Sequence, residues 1–289
     1  MKARLRKSLA LTTVLSLLAF GATSAHAQFG NVMLENWDAA PLGDIHPDTG
    51  SGYTGNWSSV GFHSTWPDGH SSIAPAGSIA EIRTDDSNIF GRGTGNHVLY
   101  MENAAGLVFT LNMPSGIEVA TLSYETQVID FMPDATNRLT NRFFTAEGTA
   151  INHGLQRLND QEFRFRNEAD SFALGELFHF DVIVNNSADT INYNSPDGTS
   201  SLDPGMTAVW ADGVLSTVYD FGRDTDPALP PGEFTSFVME TFSNNPWTAY
   251  YDNVAVTEGT FVIPEPSTYA LIFGIGALGA VLWIRRRRS

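Results

Sequence analysis

The 289-residue chain contains no cysteine. That excludes a disulfide framework, a thiolate zinc site and a cysteine nucleophile together. Charge is also sparse: Asp, Glu, Lys and Arg make up 17% of the chain, against 42% hydrophobic residues. A chain this apolar can bury a core, so wholesale disorder is excluded. Lysine is missing between residues 28 and 261, where all eight basic residues are arginine. Those eight face 31 acids over the same span, a net charge of −23. Such a body repels phosphate backbones, so nucleic acid is not a partner; it suits divalent cations or neutral polymers. Helical periodicity is missing from the same span, which shows no clean 3.6-residue apolar repeat.

The two ends read as addresses. Lys2, Arg4, Arg6 and Lys7 precede an apolar run from Leu9 to Phe20, and Ala25-His26-Ala27 follows. This is the layout of a secretory signal, residues 1–27, with Ala25 and Ala27 at the −3 and −1 positions of the cut. The alternative is a retained anchor helix. At the other end, Val262-Ile263-Pro264-Glu265-Pro266-Ser267 precedes an apolar run from Tyr269 to Ile284. Arg285, Arg286, Arg287 and Arg288 follow. Sixteen residues make about 24 Å of helix, which is short for a bilayer core but can be extended by its flanks and by snorkelling arginines. The arginine cluster holds its end in the cytoplasm, so residues 28–261 face outside.

This tripartite tail, residues 262–289, resembles the PEP-CTERM sorting signal of Gram-negative bacteria. The resemblance rests on Pro264, Glu265 and Pro266, the short apolar helix 269–284 and the terminal cluster Arg285 to Arg288. It implies recognition and processing by a membrane-embedded exosortase. It also implies an inner-membrane intermediate, and then a place on the cell surface or in an extracellular matrix, with links to exopolysaccharide and biofilm. An ordinary single-span anchor is the alternative, but it needs no Pro-Glu-Pro.

Between the ends, two-residue alternation recurs. Ala120, Leu122, Tyr124 and Val128 share one face of 119–130, and Phe163 and Phe165 share one face of 162–168. Phe178, Phe180, Val182 and Val184 look inward from 178–185, with His179, Asp181 and Asn185 outward. Further strands are expected at 32–37, 78–83, 97–102, 106–111, 142–147, 190–194, 206–210, 214–221, 234–242 and 247–257. Asp212-Gly213 reads as a tight hairpin turn, and Ser195-Pro196-Asp197-Gly198 as another. No linker divides 28–261, so the expected fold is a single all-β domain, a two-sheet antiparallel sandwich, with one C-terminal transmembrane helix.

The body also resembles concanavalin-A-like and carbohydrate-binding jelly rolls of the lectin/glucanase type. Three segments carry this: Leu34-Glu35-Asn36-Trp37-Asp38 with Gly43; Phe178-His179-Phe180-Asp181-Val182 with Trp210-Ala211-Asp212-Gly213; and Tyr250-Tyr251-Asp252-Asn253-Val254-Ala255-Val256. Asn36 departs from the acid usual at its place. The resemblance implies a structural calcium joining first and last strands, with Asp38 and Asp252 as ligands; the bland reading is two solvated edge acids. The sandwich hydrolases of this type carry Glu-x-Asp-x-x-Glu or Glu-x-Asp-x-Glu on one strand, and neither spacing occurs here.

Other catalytic motifs fail in turn. Asp48-Thr49-Gly50 has no second copy, which an aspartic-protease dyad requires. There is no His-Glu-x-x-His, and Asp224-x-Asp226 lacks the later ligands of a calcium loop. Sugar binding needs an aromatic platform with planar polar groups beside it. The candidates are Trp57, Trp66, Trp210 and Trp247, with Arg164 and Arg166 on an outward strand face; core packing is the competing role for each Trp. The chain therefore reads as a non-catalytic, tail-sorted surface or matrix protein associated with polysaccharide. One rival is a carbohydrate-binding module with a defined glycan ligand. The other is a glycan-degrading hydrolase of the same fold.

Overall fold

The computed structural model describes residues 31–45, 55–62, 79–93, 95–102, 107–131, 138–146, 150–165, 170–221, 230–241 and 247–260. The signal segment with Ala25 and Ala27, the tail from Pro264 to Arg288, Trp66 and Arg166 lie outside these residues. Among the described residues no helix is long and apolar enough to cross a membrane.

The strands are β1 (Asn31–Glu35), β2 (Gly43–Asp44), β3 (Ser59–Phe62), β4 (Ile79–Thr84), β5 (His97–Glu102) and β6 (Leu107–Asn112). There follow β7 (Val119–Phe131), β8 (Arg138–Thr145), β9 (Ala150–Arg157), β10 (Glu162–Phe165), β11 (Phe172–Ala173) and β12 (Leu177–Asn185). The last six are β13 (Ile191–Ser195), β14 (Gly198–Leu202), β15 (Met206–Ala211), β16 (Val214–Asp220), β17 (Phe234–Thr241) and β18 (Trp247–Glu258).

They form a nine-stranded sheet in the order β16-β15-β12-β7-β18-β5-β4-β2, with β1 also on β18. A seven-stranded sheet runs β11-β10-β9-β8-β17-β6-β3, and β13 and β14 form a separate hairpin. Among the described residues every strand pairing is antiparallel, so the described chain is an all-β, two-sheet antiparallel sandwich.

Alternation explains the sandwich. Leu122 and Tyr124 of β7, Phe180 and Val182 of β12, and Phe163 and Phe165 of β10 meet in one buried cluster fed by both sheets. Within it Phe165, Phe172 and Phe180 pack edge-on, with ring centroids 5.0–6.2 Å apart. Each such ring contributes roughly 2–3 kcal/mol by leaving water. The inward set expected for 178–185 is the set observed.

Two turns follow from residue type. Asp212 (φ 50°) and Gly213 (φ 78°) both take the left-handed region that a two-residue hairpin needs between β15 and β16. Pro196 and Asp197 turn β13 into β14, with Ser195 opposite Gly198.

The sequence pattern missed β9, the segment Ala-Ile-Asn-His-Gly-Leu-Gln-Arg. Its only β-branched residue is Ile151, so its strand propensity is weak. It forms because β8 and β10 lie on either side of it. Strand β8 starts at Arg138, four residues before its expected start.

A second, smaller core lies on the outer face of the nine-stranded sheet. Ile183, Ala208 and Trp210 are covered there by Tyr193 and Leu202 of the β13–β14 hairpin. Strand β12 is thus buried on both faces along its second half.

Candidate functional site

The rest of that outer face carries the chemistry, and cross-strand register sets it in two rows. In one row Glu81 lies opposite Tyr100, Tyr100 opposite Tyr250, Tyr250 opposite Gln127, and Gln127 opposite Leu177. In the next, Asp252 lies opposite Glu125 and Glu125 opposite His179. Residues directly opposite in an antiparallel pair share a face, so each row runs straight across the strands.

The second row depends on a bulge. Strand β18 pairs with β5 through Tyr251 and with β1 from Val254. At the changeover Asn253 takes φ 48°, and the β7 register shifts between Asp252 and Ala255. Asn is among the few side chains that accept the left-handed region readily. Asp252 sits immediately before this kink and is fully buried.

Its partners come from the loop between β4 and β5. Buried Asp85 folds that loop by accepting the backbone N–H of Ile89 at 2.7 Å and of Phe90 at 2.9 Å. Gly91 (φ 68°) and Gly93 (φ 89°) supply the reversals. Arg92 then reaches across the sheet. Its Nη1 donates to Asp252 Oδ2 at 2.5 Å and its Nη2 to Glu125 Oε1 at 2.7 Å. Asn96 Nδ2 donates to the same Asp252 oxygen at 3.0 Å, and the Asn253 backbone N–H to Oδ1 at 2.7 Å. Burial still dominates: it pushes the Asp252 carboxyl up to about 6, with Asn96, Arg92 and the Asn253 N–H pulling it back only in part.

The row continues to His179. Its Nδ1 lies 4.0 Å from Glu125 Oε1 and its Nε2 3.2 Å from Asp181 Oδ2. Ser123 donates its hydroxyl to the other Asp181 oxygen. Burial works to keep the imidazole neutral, but Asp181, with Glu125 and Asp212 beyond it, outweighs this and raises its pKa. The result is an alternating charge ladder, Asp252–Arg92–Glu125–His179–Asp181. The serine points at the carboxylate rather than the imidazole, so no nucleophile–base pair is formed. Both carboxylates nearest Arg92 are tied to one guanidinium, which holds them on a shared cation instead of leaving an acid and a base on either side of a cleft.

The first row is aromatic. Tyr100 and Tyr250 lie with ring centroids 4.8 Å apart, and the Arg83 guanidinium covers the Tyr100 ring at 3.6 Å. Glu81 holds Arg83 through Nε. The Tyr100 hydroxyl donates to Glu102 Oε2 at 2.6 Å; burial first and this acceptor second push its pKa up to about 12. Tyr100 itself is buried, Tyr250 half-buried, and the Arg83 side chain is 37% exposed.

Among the described residues, those singled out in the sequence do not assemble into one site. Trp210 is 1% exposed under the hairpin, its indole N–H donating to the Tyr193 hydroxyl at 3.3 Å. It is a core residue, not a sugar platform. Trp57 is also core, its ring centroid 5.2 Å from that of Phe109 in a tilted contact and 6.0 Å from that of Phe237 in a stacked one. Arg164 pairs across from Gln156 on the outer face of the seven-stranded sheet, on the opposite side of the sandwich from Trp210. That outer face also holds the Arg142–Glu240 pair at 2.8 Å, where burial raises the Glu240 carboxyl to about 7 despite the arginine.

Asp38 and Asp252 do not fit a shared calcium. Asp38 is exposed and accepts from Asn36 Nδ2 at 3.1 Å and from the His97 backbone N–H at 3.3 Å. Asp252 already holds a guanidinium, an amide and a backbone N–H, where a hard dication needs several free oxygens. Among the described residues no group of three or more His, Asp or Glu is arranged to hold a metal. Four residues central to these rows, Tyr100, Tyr250, Arg83 and Arg92, were not among the sequence candidates for a site. Only Tyr250 gave a signal, as the start of the Tyr250-Tyr251-Asp252-Asn253 segment.

The fold places the chain among two-sheet β-sandwich proteins. Residues 262–288 match the PEP-CTERM protein-sorting motif, which implies export, cell-surface sorting and processing by an exosortase. No curated protein matches the chain. Similar solved structures include domain 4 of AbnA, a GH43 extracellular arabinanase from Geobacillus stearothermophilus, at TM-score 0.43 and 12% identity, covering 81% of this chain and 95% of that one. The cellulose induced protein Cip1 gives TM-score 0.40 at 11% identity, covering 66% and 94%. The CBM22-1 xylan-binding domain of Paenibacillus barcinonensis Xyn10C gives 0.31 at 7%, covering 81% and 97%. Likeness of this degree bears on neither site nor ligand.

Proposed function

We propose that this is an exported, non-catalytic protein of the cell surface or extracellular matrix of a Gram-negative bacterium, associated with extracellular polysaccharide. The sorting motif at 262–288, placed after a β-sandwich, carries the reading. The signal peptide is removed after Ala27. The apolar segment 269–284 then holds an inner-membrane intermediate, with Arg285 to Arg288 on the cytoplasmic side, until an exosortase-type enzyme processes the tail. The non-catalytic part is supported by the charge ladder, whose carboxylates Glu125 and Asp252 are engaged by Arg92. Changing Pro264, Glu265 and Pro266 together to Ala should leave the full-length protein unprocessed in the inner membrane, as read by fractionation and immunoblot. Unchanged size and release in that variant would refute tail sorting. Sugar release from polysaccharide that a single Asp or Glu substitution abolishes would refute the non-catalytic role.

A further inference from the structure

We infer that the row Glu81–Tyr100–Tyr250–Gln127–Leu177 on the outer face of the nine-stranded sheet is the binding site for a neutral polysaccharide chain. The inference rests on the polysaccharide association proposed above and assigns it a place.

The row crosses β4, β5, β18, β7 and β12, so at about 4.8 Å per strand it is roughly 19 Å long. That is room for several sugar units of one chain. Its centre is a tilted aromatic pair, Tyr100 and Tyr250, at an interplanar angle of 43°. Tyr250 offers a half-buried ring, and beside it the Arg83 guanidinium carbon sits 3.6 Å from the centre of the Tyr100 ring. Sugar rings bury their C–H faces on such planes, while their hydroxyls need donors and acceptors around the edge.

Those groups are present and already aimed. Arg83 is fixed by Glu81 and carries guanidinium donors on a side chain that is 37% exposed. Glu81 and Glu102 supply acceptors, and Gln127 is fixed by donating to the Gly175 carbonyl at 2.7 Å. Side chains held this way lose little further freedom on binding. Leu177, 37% exposed, and Ile129, 41% exposed, give the far end an apolar floor.

Charge selects among polysaccharides. Glu81, Glu102, Glu125, Asp252 and Asp181 outnumber Arg83 and Arg92 across the two rows. The body around them carries −23 over 28–261. A polyuronate would be repelled, most strongly at low salt, whereas a neutral chain is not.

Affinity electrophoresis tests this with full-length protein in neutral detergent. The gels hold mixed-linkage β-glucan, galactomannan, xyloglucan or dextran as neutral polymers, and alginate as the polyuronate. At least one neutral polymer should retard the wild type, and alginate should not. Tyr250→Ala should weaken retardation on the order of tenfold, as loss of an aromatic anchor does. Tyr250→Phe keeps the ring and should stay within about threefold of wild type by the same logic. Arg83→Gln should fall between them, and a matching Tm for each variant shows that the fold is kept. Arg164→Ala, on the other sheet, should change nothing. Binding that survives Tyr250→Ala, or is lost with Arg164→Ala instead, overturns this site and leaves the association standing. A preference for alginate overturns the charge argument and the neutral ligand with it. Binding to no polymer overturns the association as well as the site.

Discussion

The outer face of the nine-stranded sheet holds two aromatic clusters that differ mainly in what lies above them. On β12 and β15, Trp210 is sealed by the β13–β14 hairpin and joins Tyr193 in a small dry core. On β5 and β18, Tyr100 is buried beneath the Arg83 guanidinium while its neighbour Tyr250 remains partly open. Both clusters come from strands of similar composition. The first is closed into a core, and the second leaves the Tyr250 ring partly exposed. An aromatic on an outward strand face is therefore not informative until its cover is known.

The comparison is broken most severely at Trp210. Trp210→Ala should remove about 3–5 kcal/mol, as other large-to-small core changes do, and lower Tm by roughly 10 °C. A fall of less than about 2 °C would mean that the hairpin is not closing a core there.

The next effect lies in the main core. His153 of β9 is fully buried, with Nδ1 2.7 Å from the Tyr219 hydroxyl, and burial lowers its pKa to about 3. A group with a lowered folded pKa keeps its full contribution above its unfolded value, near 6.5, and loses it as pH falls toward the folded one. At pH 5 the loss is about 2 kcal/mol. His179, Asp252 and Glu240, all raised, act in the opposite sense, gaining as pH falls. Urea unfolding of wild type and His153→Gln at pH 7.5 and pH 5 separates the two. The gap should shift in favour of the variant by about 2 kcal/mol on acidification, and a constant gap would refute a neutral buried His153.

Arg92 comes third. Arg92→Ala leaves buried Asp252 without its guanidinium. At pH 8 this should cost about 1–2 kcal/mol, well below the figure for a fully buried pair because Arg92 is itself partly exposed. At pH 5 Asp252, with its pKa near 6, is mostly protonated in the wild type, so the cost should shrink. An equal cost at both pH values would show that the arginine acts through packing instead.

Tyr250 closes the series. Tyr250→Ala should cost less than about 1 kcal/mol, as changes away from a closed core do. A Tm loss matching that of Trp210→Ala would erase the distinction between the two clusters.

Much of the framework was legible in the sequence. Phe178, Phe180, Val182 and Val184 share a face because side chains alternate along any strand, and that needs only neighbouring residues. Asp212-Gly213 turns for a reason equally local. Strand β9 was hidden because its residues barely favour a strand; its two neighbours hold it there. Asp252 was marked by its segment, but its partner Arg92 stands 160 positions away in sequence, and no local pattern links the two.

By itself the sequence determined the all-β alternation, the acidic lysine-free body and the PEP-CTERM tail, because each is written in contiguous residues. Tertiary structure alone decided that Trp210 is sealed and Tyr250 open, that Arg164 and Trp210 face opposite sides, and that Arg92 stands on Asp252 where calcium was expected. Those outcomes depend on cross-strand register and on which hairpin or loop folds over which face. They are set by contacts between segments far apart in the chain, whose packing free energy no single segment encodes.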